Sequence, residues 1–311
     1  MQIDVFGVPL DLGTRRRGTN LGPQRLRRGG LASRLFSLGH KTIDHGDVDV
    51  PPHAGLSERD PMCGDLDQTT EIAARICTLT RASMAEGRFP LVLGGDRRLT
   101  LGSIRGAAFG RKLGVIWIDA HADFNTVDTS LSGSTHGMPL LALTGLGDRR
   151  LLGVGGPGSP ARAVDPAHIA LVGVREVGLG ERLLLEQSRV KLFTSEATAR
   201  LGIEETIARA IAIASHGTDG IYLSIDLDGF DPSFAPGVST PVPGGLTPQQ
   251  GIAACHAVQA SGLLVGMDVV ELNPMTDIDG ATERLALALV GAAVGDAVHP
   301  QLSPSSDEFL A

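Results

Sequence analysis

Apolar runs of strand length recur along the chain, and stretches with helical spacing separate them. Residues 3–8, 90–93, 113–118, 169–174, 221–225 and 263–270 are nearly continuous hydrophobic segments. They lack the polar–apolar alternation of a half-exposed strand, so both faces of each are expected to be covered. Between them, residues 69–86, 204–214, 248–260 and 281–290 carry helical patterns. Thr247-Pro248 supplies an N-cap followed by proline at the first helical position, where its missing N–H costs nothing. The alternation predicts an α/β chain with a central parallel β-sheet flanked by helices. In such sheets ligands bind beyond the carboxyl ends of the strands. Polar residues gather there in nearly every run.

Two runs end in acid clusters. Gly114-Val115-Ile116-Trp117-Ile118 passes directly into Asp119-Ala120-His121-Ala122-Asp123. Tyr222-Leu223-Ser224-Ile225 passes into Asp226-Leu227-Asp228-Gly229-Phe230-Asp231-Pro232. Ionised carboxylates are costly to bury unless a cation or donor compensates them. Side chains of an extended segment alternate, so Asp119, His121 and Asp123 share a face, as do Asp226 and Asp228. The spacing aims five ligands at one point. Carboxylates with imidazole suit a divalent ion such as Mn²⁺, and two such ions about 3.5–4 Å apart can make water a nucleophile near neutral pH. Alone, the first string has a surface turn as its plainer alternative, and the second an Asx-turn at a strand end with Asp231-Pro232 in the turn. Together, each after a buried strand, they favour a shared cation site.

Composition narrows the classes. The 311 residues suffice for one large α/β domain, expected over residues 1–295. A tail over 296–311, rich in Pro, Ser and acids, is expected to be disordered or to dock on a neighbouring subunit. Aromatics are only 4%, so Leu, Ile, Val and Ala must build the core. The net charge of -8 argues against a nucleic-acid partner. No apolar run reaches the roughly 18 residues of a membrane span, and the start lacks a signal-like pattern. Cys63, Cys77 and Cys255 are widely spaced and fit free thiols in a reducing compartment. A cytoplasmic enzyme without nucleic-acid or membrane partners is expected.

Six ordered segments resemble the ureohydrolase (arginase/agmatinase) family. They are Gly94-Gly95-Asp96, the stretch from Asp119 to Asn125, Ser132-Gly-Ser-Thr-His136-Gly-Met-Pro139, the stretch from Ser224 to Pro232, Thr240-Pro-Val-Pro-Gly-Gly245 and Asp268-Val-Val-Glu-Leu-Asn-Pro274. The opening from Gly7 to Gly13, with Arg17-Gly18 and Gly22-Pro23, resembles the arginase branch in particular. The resemblance implies a three-layer α/β fold with a parallel sheet. It also implies a two-manganese site that hydrolyses a guanidino group to urea and an amine. Asp119, His121, Asp226 and Asp228 would hold one ion (site B). Asp119, Asp123, Asp226 and a histidine after Asp96 would hold the other (site A). His136 would pass a proton to the leaving amine, as an imidazole titrating near working pH can. Glu271 would pair with the guanidinium. Asn125, Ser132 and Ser134 match positions that hold the substrate α-carboxylate. A small-molecule guanidino substrate and a homo-oligomer, trimeric or hexameric, are implied as well. By their surroundings alone, His136 reads as a loop histidine, Glu271 as a cap and Asn125 as a turn residue.

Two positions depart from the family pattern. Where the family has Gly-Gly-Asp-His-Ser, this chain has Gly94-Gly95-Asp96-Arg97-Arg98. A guanidinium has no lone pair and stays protonated, so Arg97 cannot be a metal ligand. It can face Asp119 and Asp123 as a cation. One tightly held Mn²⁺ is therefore expected at site B, with site A weak or empty. The second departure is Gly178, which stands where arginases use an acid for the substrate α-amino group. Glu176 takes the earlier acid position, and Glu181 is the remaining candidate partner for an ammonium. Three readings stay open: hydrolysis of arginine or a close analogue to products such as ornithine, hydrolysis of a specialised (for example N-hydroxylated) guanidine, and a catalytically weak homologue with a binding or assembly role.

Overall fold

The computed structural model describes residues 1–11, 16–50, 61–130 and 133–295, with backbone alone for 61–65. Eight strands among these residues form one sheet. They are β1 (Gln2–Val8), β2 (Lys41–Asp47), β3 (Phe89–Gly94), β4 (Leu113–Ile118), β5 (Ile169–Val174), β6 (Lys191–Thr194), β7 (Gly220–Asp226) and β8 (Leu264–Val270). Their spatial order is β2-β1-β3-β8-β7-β4-β5-β6, and all pairs are parallel. The six apolar runs are the six inner strands. The sequence reading missed β2 and β6, the two edges. Each pairs on one side only, and their polar sequences, such as Lys41-Thr-Ile-Asp-His-Gly-Asp47, carry no apolar run.

Alternating side chains of each inner strand feed two opposite cores, which is why the runs are continuously apolar. In β4, Ile116 and Ile118 pack on one side with residues of the helices Ile203–Ser215, Pro248–Ala260 and Ala281–Val294. Val115 and Trp117 pack on the other with residues of the helices Pro61–Ala85 and Thr100–Ala107. Each large apolar side chain so buried contributes about 1.5–3 kcal/mol. Gly114 lets the helix Ile203–Ser215 lie directly on β4, since a Cβ there would sit 1.8 Å from the Ala214 carbonyl oxygen. The helix Pro248–Ala260 begins as expected, with Thr247 and Gln250 in a reciprocal capping box.

β3, β8, β7 and β4 are consecutive in the centre of the sheet. Their carboxyl ends therefore open side by side, and the chemistry-bearing residues follow directly on all four. No described helix is long and apolar enough to cross a membrane. The segment 296–311, expected to be a tail, lies outside the described residues.

Candidate metal centre and substrate site

Short turns after the central strands aim the polar side chains. After β3, Gly95 passes so close to Leu10 that a Cβ would lie 2.0 Å from the Leu10 carbonyl oxygen. Asp96 then caps the turn Arg97–Leu99, accepting from the Arg98 amide at 3.0 Å. This turn sends Arg97 inward. After β4, Asp119 accepts from the His121 amide at 2.7 Å. After β7, Asp226 accepts from the Asp228 amide at 2.8 Å. Asp123 (φ 49°) and Glu271 (φ 69°) are held in the left-handed region, at about 1–3 kcal/mol each. Backbone bonds keep them there: the Glu271 amide donates to Gly95 at 2.9 Å, and the Asp123 carbonyl accepts from Leu140 at 3.1 Å.

Asp119, His121 and Asp228 present ligand atoms within 4.8 Å of one another. His121 Nδ1 lies 3.1 Å from Asp228 Oδ2 and 3.4 Å from Asp119 Oδ1. Burial disfavours a charged imidazole here, yet Asp228, with Asp119, holds His121 well above its ordinary range. Burial likewise pushes Asp228 up, but His121 and Thr240 outweigh it and hold that carboxyl low. Thr240 Oγ1 donates to Asp228 Oδ2 at 2.8 Å and the Ala120 amide to Asp228 Oδ1 at 3.2 Å, fixing the carboxylate. Two acids and an imidazole around one point fit a single divalent ion.

The five expected ligands divide, with Asp119, His121 and Asp228 in one group. Asp123 and the Oδ2 oxygen of Asp226 face Arg97, whose side chain is 0% exposed, while Asp226 Oδ1 stays on the Asp228 side, accepting from its amide. Arg97 Nη2 and Nε donate to Asp119 Oδ2 at 2.6 and 3.0 Å, and Nε reaches Asp123 Oδ2 at 3.3 Å and Asp226 Oδ2 at 3.5 Å. Nη1 donates to Ser224 Oγ at 2.7 Å and lies 3.9 Å from Asp268 Oδ1. The guanidinium carbon stacks 3.9 Å from the Trp117 ring centre. Burial works against the charge, but Asp119, Asp226, Asp123 and Asp268 together raise the guanidinium above its ordinary value. Asp123 and Asp226 are pushed well above the carboxylate range by burial and then by neighbouring acids, against the pull of Arg97.

Trp117, Ser224 and Asp268 had no role in the sequence reading. Ser224 and Asp268 lie inside the inner strands β7 and β8, and a carboxylate within a buried apolar run is itself a signal of a hidden partner. Ser224 Oγ and Ser103 Oγ each donate to Asp268 at 2.6 Å.

A second group lies beside the first. His136 Nε2 is 3.5 Å from Glu271 Oε1, and His136 Nδ1 is 3.9 Å from Asp96 Oδ1. Arg98 grips Asp96 through both carboxylate oxygens, Nε donating to Oδ1 and Nη2 to Oδ2. Asp96 is thus already neutralised, which argues against a second cation there. Burial pushes Asp96 up, but Arg98 outweighs it and holds the carboxyl low. Glu271 Oε1 accepts from the Arg97 amide at 3.0 Å. Glu271 Oε2 and His136 Nδ1 are buried without a hydrogen-bond partner. Burial, then Asp96 and Asp228, push Glu271 well above its usual range. Burial lowers His136.

The remaining candidates divide. Ser134 caps the turn Thr135–Gly137 beside the site, accepting from the His136 amide at 3.3 Å. Asn125 Oδ1 accepts from Thr129 Oγ1 at 3.1 Å. Ser132 lies outside the described residues. Glu181, expected as an arm for a substrate ammonium, is used otherwise. Its oxygens accept from the amides of Phe124 at 2.8 Å and Gly178 at 3.3 Å, so it buttresses the turn below Asp123. Glu176 stands at the rim, 65% exposed, with Oε2 3.8 Å from His121 Nε2.

Comparison with known proteins identifies the family. The model of the Arginase family matches residues 1–295. The chain belongs to the arginase family. Arginase from Brevibacillus brevis is 40% identical over 297 residues, covering 94% of this chain and 98% of that protein. Arginase from Bacillus caldovelox is 39% identical over 296 residues, covering 94% and 98%. Its native crystal structure superposes with a TM-score of 0.91 at 38% identity, covering 95% of this chain and 99% of that one. Within the ureohydrolases the chain thus falls in the arginase branch, a hydrolase of carbon–nitrogen bonds in guanidino compounds.

Proposed function

We propose that this arginase-family chain hydrolyses arginine or a close analogue to urea, or a urea derivative, and an amine such as ornithine. The observation that carries the reading is Glu271, a fully buried acid whose Oε2 makes no well-formed hydrogen bond, with the Ser239 hydroxyl near the carboxyl group. A buried carboxylate oxygen left short of donors is costly. A guanidinium substrate supplies the missing donors in planar, charge-assisted form. Glu271 Oε1 lies 3.5 Å from His136 Nε2, so a guanidinium paired with Glu271 would bring its leaving nitrogen near the imidazole.

One manganese-type ion held by Asp119, His121, Asp226 and Asp228 would supply Lewis acidity and lower the pKa of water. Water adds to the guanidino carbon and gives up two protons, the carbon–nitrogen bond to the amine breaks, and both protons end on the leaving nitrogen, one of them carried through the His136 imidazole, so that guanidinium and water become urea and an alkylammonium. Asp119 and Asp228, held by backbone amides and by Thr240, orient the group. Asn125, Ser132 and Ser134 serve the far end of the substrate; Asp123 balances charge beside Arg97. The reading includes a single domain over 1–295, a cytoplasmic location and a homo-oligomeric assembly, trimeric or hexameric.

A specialised guanidine, such as an N-hydroxylated one, is the second reading. It is favoured by Gly178 and by the engagement of Glu181, which leave neither as a partner for an α-ammonium group. Release of urea or hydroxyurea from a panel of guanidines by manganese-loaded protein tests both. Turnover of arginine ahead of analogues supports the first, and preference for a modified guanidine the second. A folded, loaded protein that turns over no member of the panel sinks both.

A further inference from the structure

We propose that the Arg97 guanidinium is the resident second cation of this centre, so that the centre takes one divalent ion where the family pattern has two. The inference rests on reading Asp119, His121 and Asp228 as a metal group, but not on any particular substrate.

The position of the guanidinium argues for it. The carboxylates that the resemblance assigns to site A are Asp119, Asp123 and Asp226, and these are the ones Arg97 contacts, at 2.6, 3.3 and 3.5 Å. A metal ion would need the same oxygens and the same volume. The guanidinium is also built in rather than stray. Trp117 covers its face, Ser224 takes one Nη1 donor at 2.7 Å, and Asp268 stands behind at 3.9 Å. Ser103 and Ser224 fix Asp268 in turn. Trp117 Nε1 donates at 3.0 Å to the same Asp119 oxygen that Arg97 holds. A planar fork stacked on an aromatic ring is a guanidinium site, and nothing in it resembles an open coordination position.

The charges favour a single ion. Asp119, Asp123, Asp226 and Asp268 surround the guanidinium, while Asp228 stands with His121 and Asp119 in the group beside it, so the guanidinium and one divalent ion divide the acids between them. The centre thereby keeps cationic character on both sides of Asp119 with one exchangeable ion. Through its amide, Arg97 also holds Glu271 Oε1, so the residue ties the second cation position to the acid that faces the substrate.

The test is manganese stoichiometry, read independently of turnover. Full-length protein stripped with chelator is titrated with Mn²⁺, and free ion is followed by electron paramagnetic resonance. One tight ion per chain, with the spectrum of an isolated Mn²⁺, is expected. Arg97→Lys should also bind one, since it keeps a cation and offers no ring nitrogen. Arg97→His should bind two and show the spectrum of an exchange-coupled pair. Two tight ions in the unaltered protein, two in Arg97→Lys, or one in a folded Arg97→His would each overturn the inference. Should Arg97→His not fold, anomalous diffraction at the manganese edge on the unaltered protein decides, with one peak expected and a second peak in the place of the guanidinium contradicting it. A protein that binds one ion yet cleaves no guanidine would defeat the proposed function and leave this inference standing.

Discussion

Replacing Arg97 by methionine should destabilise the metal-free protein by about 3 kcal/mol at neutral pH. Breaking a buried ion pair from one side typically costs about 3–5 kcal/mol, because the partner charge remains. Here the carboxylates keep other donors: Trp117 on Asp119, the Asp228 amide on Asp226, and two serine hydroxyls on Asp268. The lower end of the range therefore applies. The loss should depend on pH. Unfolded carboxylates titrate near 3.9, whereas burial and acid neighbours already hold Asp123 and Asp226 well above that in the folded protein. Without Arg97 the folded variant takes up at least one further proton relative to the unfolded chain, so its stability falls as pH rises. One proton corresponds to about 1.4 kcal/mol per pH unit. The deficit should thus shrink by about 2 kcal/mol from pH 7.5 to pH 6. Trp117, the single tryptophan, reports unfolding in urea with chelator present. A deficit below about 1 kcal/mol that does not change with pH would refute the claim that Arg97 neutralises these acids.

Glu271→Gln should lower kcat/KM by roughly 30-fold or more, since losing one partner of a buried charge pair costs about 2–5 kcal/mol. Its metal-free stability at neutral pH should hold or rise, because burial already disfavours the carboxylate; equal turnover, or a large stability loss, would argue against a substrate role. His136→Asn should lower kcat by about 10²–10⁴ with little change in manganese binding. Burial depresses His136 below its unfolded value near 6.5, so the stability it contributes is complete above that pH and lost as pH falls through the folded value. Unfolding midpoints between pH 5 and 8 should therefore show a weaker acid decline in the Asn variant.

The inner sheet was legible because both faces of its strands are covered, which writes them as apolar runs. The edges β2 and β6 were not, since exposure lets Lys41, Asp44, His45 and Lys191 stand where a buried strand would need valine or isoleucine. The site was legible as residue types but not as geometry. Period-two spacing grouped Asp119, His121 and Asp123, yet the chain leaves the strand at Ile118 and Asp123 adopts a left-handed turn toward Arg97. Arg97 itself was visible as a departure from pattern. Its cradle of Trp117, Ser224 and Asp268 comes from β4, β7 and β8, and no local spacing joins three strands. Glu181 shows the converse limit: an acid that reaches the site in space caps the backbone there instead of facing a substrate.

Urea release as a function of manganese equivalents, with arginine or the preferred guanidine of the panel as substrate, tests the account most directly. A single-ion centre completed by Arg97 predicts that activity rises linearly and levels off at one equivalent per chain. Activity that continues to climb to two equivalents, or a loaded and folded protein that releases no urea derivative at any ratio, would contradict it.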